Sequence, residues 1–240
     1  KLFSVDEYDD NDALMLADWC RWVRQVNPAL VIGHNIFGYD LPYLQYVFDR
    51  NNVAFELGRD GSNIKFNSYT SSFRKDGSQT YDYNNAYIYG RELVDTMFLA
   101  IKYDAAKKKY ESYGLKSIIK QEGLEKEGRV FVDASKMKEL WEIPEERTRI
   151  KQYALDDSDD ALKLFDLMAQ PFFYMNRSIP KSFQQVINGA TGSQINSMMV
   201  RSYLQDGHSI PQASEISEFQ GAISAGYPGV YKNAAKADIA

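Results

Sequence analysis

The sequence is poor in cysteine: Cys20 stands alone in 240 residues. No internal disulfide can form, and the expected setting is a reducing, cytoplasmic one. Apolar runs are short, and none approaches the roughly 20 residues that cross a bilayer, so no membrane role is expected. A secretory leader is missing from the start, which reads Lys1-Leu2-Phe3-Ser4 without a Met; this start points to a piece of a longer chain. Positive charge is also in deficit. The net charge of −5 gives no broad basic field of the kind that advertises nucleic acid. It does not exclude DNA, because a metal-dependent nuclease places carboxylates at its centre. Internal repeats and low-complexity tracts are absent. What remains is a globular composition of a length for one large domain or one and a half.

The chain is organised around Val31-Ile32-Gly33-His34-Asn35-Ile36-Phe37-Gly38-Tyr39-Asp40-Leu41-Pro42-Tyr43-Leu44. The apolar run from Ala29 to Ile32 reads as a buried strand that Gly33 ends. Pro42 sits where the first turn of a helix tolerates proline, and that helix spans Leu41–Arg50. The loop between carries Asn35, the aromatics Phe37 and Tyr39, and the carboxylate of Asp40. Ligand sites of α/β proteins lie at such strand ends. Asp40 could equally be a helix N-cap, a role that leaves Asn35 and the aromatics unexplained.

Before this stretch, Asp9-Asp10-Asn11-Asp12 opens a helix with Leu16, Trp19, Cys20, Val23 and Val26 at helical spacing, ended by Pro28. Trp19 and Trp22 read as packing residues. After it, Gly58 to Gly90 is polar. Segments Lys65–Phe73 and Gln79–Tyr89 flank Lys75-Asp76-Gly77-Ser78, and Asp-Gly between strand-like segments signals a hairpin. Arg91 to Thr96 reads as a strand end passing into a helix over Met97–Tyr103. Short helices are expected at Leu115–Gln121 and Ser135–Trp141.

Pro144 opens a long helix from Glu145 to about Met168, and Pro171 is expected to end the region. Ile150, Tyr153, Ala154, Asp157, Ala161, Leu164, Phe165 and Met168 share one face at 100° per residue. Asp157 falls inside this stripe, while Asp156, Asp159 and Asp160 read as solvated. A carboxylate in an apolar face needs an Arg, a Lys or a metal ion. Tyr153 precedes it by one turn on the same face. Two helices follow, Ile179–Ile187 and Gly192–Leu204, and the tail from Ala213 has the alternation of strands.

Asn35-x-x-x-Tyr39-Asp40 followed by Tyr153-x-x-x-Asp157 resembles the second and third exonuclease motifs of family-B DNA polymerases. Gly90 to Thr96 resembles the strand between those motifs. Thr191-Gly192-Ser193-Gln194-Ile195-Asn196-Ser197 resembles the link from exonuclease to polymerase. Pro228-Gly229-Val230-Tyr231-Lys232-Asn233 with Ala237-Asp238-Ile239-Ala240 resembles the approach to the first polymerase motif. The order is the family's own, over nearly the whole chain.

The resemblance implies an α/β, RNase H-like (DnaQ-like) 3′–5′ exonuclease fold with a mixed sheet over residues 1–170. Linker helices and the start of a polymerase palm follow over 171–240. It implies a template-directed DNA polymerase with a proofreading exonuclease that hydrolyses the 3′-terminal phosphodiester of single-stranded DNA. Two ions, Mg²⁺ or Mn²⁺, would be held by four carboxylates. Asp40 and Asp157 match two of these, Tyr153 the tyrosine that orients the attacking water, and Asn35, Phe37 and Tyr39 the lining of the strand end, where aromatics can stack an unpaired base. Asp238 matches a polymerase metal ligand. The implied partners are primer–template DNA and deoxynucleoside triphosphates, at the nucleoid or replication site. Trimming the hairpin tip would then impair hydrolysis of paired primer ends. One departure stands out. The family's first motif, Asp-x-Glu, should lie well before Asn35; Val5-Asp6-Glu7-Tyr8 is neither that pattern nor far enough away, so the chain is expected to begin after the motif. Taken alone, it should be nearly inert as a nuclease and as a polymerase. The rivals are an exonuclease-like module that only binds single-stranded DNA, a stand-alone 3′–5′ nuclease, and an α/β domain whose aspartates are caps and ion pairs. An Arg or Lys against Asp157 would favour the last.

Overall fold

A computed structural model describes residues 1–75 and 79–210. Packing divides the chain into a unit over Lys1–Arg201 and a second from Ser202. In the first unit, helix α1 (Asp12–Val26) starts where the Asn11 side chain accepts the Leu14 N–H at 3.1 Å. It buries Leu16, Cys20 and Val23 of the periodic face read from the sequence, with Trp19 partly buried and Val26, at the helix end, exposed. Burial pushes the Cys20 thiol up to about 11. Strand β1 (Leu30–Gly33) follows and enters a single π-helical turn, Ile36–Asp40, that runs directly into α2 (Leu41–Arg50).

The polar segment folds back on itself as two antiparallel ribbons. One pairs β2 (Lys65–Phe66) with β5 (Ala86–Tyr87); the other pairs β3 (Ser71–Arg74) with β4 (Thr80–Tyr83). The Arg74↔Thr80 register makes the second a hairpin; its Asp76-Gly77 tip lies outside the described residues. Strand β6 (Glu92–Asp95) then pairs in parallel with β1, in register from Leu30↔Glu92 to Gly33↔Asp95. The sheets are thus small, one parallel pair beside antiparallel ribbons, and helices cover them. The edge of β6 does not stay bare: the Leu93 N–H donates to Gln184 Oε1 at 3.0 Å, and Gln184 Nε2 reaches Ala86 O at 2.8 Å. Gln184 comes from α7 (Phe183–Asn188), which opens with a Ser182–Gln185 capping box. Stacked rings fill the core under the strand end, Phe73 on Phe98 at 4.0 Å and Phe37 on Phe98 at 6.0 Å. Trp19 packs on Phe48 and Phe55, as expected of a packing residue.

Helices α3 (Thr96–Asp104), α4 (Leu115–Gln121) and α5 (Met137–Trp141) lead to α6, which runs unbroken from Pro144 to Ser178. Pro171 therefore does not end it. A mid-helix proline removes one hydrogen bond and costs about 3 kcal/mol. Here the bond lost is the one to the Leu167 carbonyl, and both residues are exposed, so water can take its place. Beyond the proline, Phe172 packs on the core and Phe173 meets Phe183 edge-on at 6.3 Å, contacts that hold the extra turns. The expected helix from Ile179 is likewise shortened to α7. Helix α8 (Thr191–Gln205) follows. Of the second unit, the described residues are the end of α8 and a short stretch to residue 210, where the His208 N–H donates to Tyr203 O at 2.9 Å. The strand-like tail and Asp238 lie outside the described residues.

Candidate active site

Gly33 and Asp95 end the paired strands side by side, so the loops after both strands meet at one end of the sheet. Asp95 is wholly buried. Its carboxylate accepts the Asn35 N–H at 2.8 Å, the Met97 N–H at 2.9 Å and, more weakly, the Phe37 N–H at 3.4 Å. Burial pushes its pKa up to about 6, and these backbone donors keep it from rising further. Asp95 thus caps α3 and ties down the Asn35 loop at once. Its signal in the sequence was an Asp immediately before a helix, read only as a strand end.

His34 closes the same end. Its Nε2–H donates to Tyr113 O at 2.8 Å, which leaves Nδ1 to accept from the Thr96 hydroxyl at 2.9 Å. Burial lowers its pKa; the Tyr113 carbonyl and then the Asp157 carboxylate pull it back up. Asp157 therefore lies within electrostatic reach of the strand-end loop, although 123 positions separate it from His34 in the chain.

Asn35 adopts a left-handed conformation, φ 60°, and its carbonyl takes the N–H groups of Gly38 and Tyr39. A side chain at position 38 would meet Asn35 Oδ1 at 2.4 Å and displace the Asn35 side chain. Single π turns occur frequently at functional sites. This one turns Phe37 inward and Tyr39 outward. Phe37, expected to stack on a strand end, is only 1% exposed and packs on Tyr83 and Phe98; it supports the loop from beneath. Tyr39 is 66% exposed and parallel to Tyr43, with ring centres 6.2 Å apart. Asp40 makes no capping bond, so the N-cap reading fails. The residue as a whole is exposed, yet crowding about its carboxyl raises the pKa by desolvation, with no cation among the causes that would lower it.

On α6 the aspartates are arranged differently from expectation. Asp156 and Asp160 are buried, not solvated, and only Asp159 is exposed. Asp156 accepts from the Val130 N–H at 3.0 Å, Gln152 Nε2 at 2.9 Å and Lys126 Nζ at 3.2 Å, and these donors lower its pKa to about 2. Asp160, 1% exposed, accepts from Arg129 Nε at 2.7 Å and Lys163 Nζ at 3.2 Å. Asp157 is half-buried, and Arg129 Nη2 donates to it at 2.6 Å. Arg129 is the residue that sequence reasoning missed. Its side chain is 2% exposed and lies 4.6 Å from the Phe131 ring centre. Burial alone would lower its pKa, but Asp160 and Asp157 outweigh that and raise it. Nothing in a charged, Gly-containing segment marks one arginine as buried.

Tyr153 does share a face with Asp157. Its hydroxyl accepts from Lys116 Nζ at 2.8 Å, and the same ammonium sits 4.5 Å from its ring centre. Asp6 and Glu7 both meet Lys151 of α6, at 2.9 and 3.4 Å, in a 3₁₀ turn and not in a strand. Asp40 and Asp157 offer hard oxygen atoms of the kind Mg²⁺ prefers. Among the described residues, however, no three acidic, histidine or cysteine side chains converge as a metal site, and Asp157 already has a cation. These residues by themselves do not fit a two-ion centre. Among the same residues no helix is long and apolar enough to cross a membrane.

Residues 2–118 match the family model described as DNA polymerase family B, exonuclease domain. The DNA polymerase delta catalytic subunit of Caenorhabditis elegans is 27% identical over 91% of this chain and 20% of its own length. A DNA polymerase of Archaeoglobus fulgidus is 21% identical over 100% of this chain and 29% of its own. The chain thus spans well under a third of these relatives. In structure, the family B DNA polymerase of the hyperthermophilic archaeon Pyrobaculum calidifontis matches 87% of this chain and 25% of its own, with a TM-score of 0.66 at 21% identity. The chain is thus similar to family B DNA polymerases, shares the fold of one of them, and carries the match to their exonuclease domain on residues 2–118.

Proposed function

We propose that the chain supplies most of the 3′–5′ proofreading exonuclease of a template-directed DNA polymerase, acting on the 3′-terminal phosphodiester of single-stranded DNA. The observation that supports this most is Asp40: a crowded carboxylate without a counter-ion among the described residues, on a π turn at the end of parallel strands, with Asp157 in electrostatic reach of the same loop. A structural aspartate would have found a cap or a cation. In this reading Asp40 and Asp157 are two of the carboxylates of the centre. Tyr153 positions water through its hydroxyl. Asn35 and exposed Tyr39 line the strand end, and Asp238 belongs to the polymerase centre. The Mg²⁺ or Mn²⁺ requirement belongs to the complete protein. Among the described residues the donor set does not complete a metal site. Deoxynucleoside triphosphates and primer–template are partners of that complete protein.

A second reading, an α/β domain whose aspartates are caps and ion pairs, is favoured by the Arg129–Asp157 pair. The test separates them. In the complete polymerase, Asp40→Ala and Asp157→Ala should each reduce exonuclease on a single-stranded oligonucleotide by at least about 100-fold and leave primer extension near wild type. Tyr153→Phe should cost roughly 10–100-fold, the equivalent of one lost hydrogen bond of about 1–3 kcal/mol. An unaltered exonuclease in all three variants, or an equal loss of extension, would reject the assignment. Lost stability with unaltered exonuclease in Asp157→Ala would establish the second reading.

A further inference from the structure

Helix α4 starts between the two halves of the candidate site. Immediately before its N-cap, Gly114, the Tyr113 carbonyl accepts the His34 Nε2–H at 2.8 Å and so ties the start of the helix to the strand-end loop. In the first turn of α4, Lys116 reaches α6. The Lys116 Nζ donates to the Tyr153 hydroxyl at 2.8 Å and lies 4.5 Å from the centre of the same ring. It also stands 5.8 Å from the centre of the Phe131 ring, which has the Arg129 guanidinium 4.6 Å away. Arg129 in turn holds Asp157. Tyr153 and Asp157, one turn apart on α6, are thus each gripped from outside the helix by a cation, with Phe131 beside both cations. Lys116 differs from Arg129 in what it grips, a phenol and not an acid. Surface contacts of an exposed ammonium add little to stability, so the effect of Lys116 falls on the orientation of the tyrosine.

An ammonium has three N–H donors and no acceptor. The Tyr153 oxygen therefore accepts from Lys116, and its own proton points to a different partner. Among the described residues Lys116 is the one hydrogen-bond partner of that hydroxyl, so the proton is left for a ligand. We propose that Lys116 is a positioning residue for Tyr153: it fixes the phenol oxygen as an acceptor and turns the hydroxyl into a hydrogen-bond donor toward the attacking water. A water that accepts this proton keeps a second lone pair for phosphorus, and the direction of that pair is set by the bond already made. The inference rests on the reading of Tyr153 as part of a 3′–5′ exonuclease and adds how its hydroxyl is used.

The test is made in the complete polymerase, on a single-stranded oligonucleotide, with Lys116→Met, Lys116→Arg, Tyr153→Phe and the Lys116→Met/Tyr153→Phe double variant. Lys116 is exposed, so melting temperatures should match wild type. Lys116→Met should lower the exonuclease kcat about 3–10-fold, the worth of one hydrogen bond, with KM and primer extension unchanged. Lys116→Arg should keep most of the rate, because a guanidinium also donates and never accepts. In the Tyr153→Phe background Lys116→Met should cost nothing further, since the oxygen through which it acts is gone. Wild-type kcat in Lys116→Met, a change confined to KM, or losses that multiply in the double variant would overturn the proposal and leave the exonuclease assignment standing. A Tyr153→Phe enzyme as fast as wild type would remove the role of Tyr153, and this proposal with it.

Discussion

At the strand end, carboxylates meet backbone amides or nothing; on α6 they meet cations. Asp95 is held by the N–H groups of Asn35 and Met97, and Asp40 has neither cap nor counter-ion among the described residues. Asp156 and Asp160 are as deeply buried as Asp95, yet Lys126, Arg129 and Lys163 neutralise them. Desolvation outweighs the backbone amides at Asp95 and raises its pKa, whereas at Asp156 the Val130 N–H and Gln152, and after them Lys126, outweigh desolvation and lower it. Hydrogen bonds to the charged form favour it in both places; the cost of burial decides the sign. The strand end thus keeps a negative charge available to an outside cation, and α6 spends most of its own on fixing the 124–131 segment. Asp157 stands between the two regimes, half-buried and sharing Arg129.

The largest effect should come from taking the cation away. Arg129→Met leaves Asp160 buried with Lys163 as its one remaining charge partner and should destabilise the chain by about 3–5 kcal/mol in urea unfolding. Adding Asp160→Asn should recover much of the loss. A single variant as stable as wild type would mean that the α6 carboxylates do not depend on Arg129.

At the strand end the counterpart is Asp95→Asn, which turns an acceptor of several N–H groups into a side chain with its own donors. A loss of about 1–3 kcal/mol is expected, with faster hydrogen exchange at Asn35 and Met97. Unchanged exchange there would break the link between Asp95 and the loop.

Acid should separate the two regions by sign. Asp95 has a raised pKa, so its contribution to stability grows as pH falls from about 6 toward its unfolded value of 3.8 and is complete below that. Asp156 has a depressed pKa, so its contribution is present above 3.8 and lost as pH falls toward about 2. Urea midpoints measured from pH 2 to 7 should lose the upper slope in Asp95→Asn and the lower one in Asp156→Asn. Parallel curves for both variants would show that the two burials are electrostatically alike.

The smallest effect is the most pointed. Asp40→Asn removes a carboxylate that nothing neutralises, so stability should stay within about 0.5 kcal/mol of wild type or exceed it. A loss above about 1 kcal/mol would reveal a structural partner for Asp40 and return it to the regime of α6.

Much of this arrangement was legible before any coordinates. The strand, loop and helix from Leu30 to Arg50 follow from an apolar run, a glycine and a proline, all local signals. Leu115–Gln121 falls where its spacing places it, and the hairpin strands flank Asp-Gly as turn chemistry requires. The misreadings share a cause. Periodicity assigned Asp157 to the buried face of α6 and left Asp156 and Asp160 in water, because it assumes that only apolar residues go inside. Arg129, 28 residues upstream of Asp157, supplies the charge that lets Asp160 in, and Val130, Gln152 and Lys126 hold Asp156. Pro171 was read as a stop because local rules count the hydrogen bond lost and not the phenylalanines gained beyond it.

By itself, then, the sequence determined the elements, the strand-end loop and the motif residues within it, since backbone conformation there depends on neighbours a few positions away. Tertiary structure decided which carboxylate carries a counter-ion and which does not. That choice turns on Arg129 meeting Asp160 and Asp157, and on no cation meeting Asp40 among the described residues. The energy of a buried charge is set by groups within a few ångströms in space, and distance along the chain does not encode them.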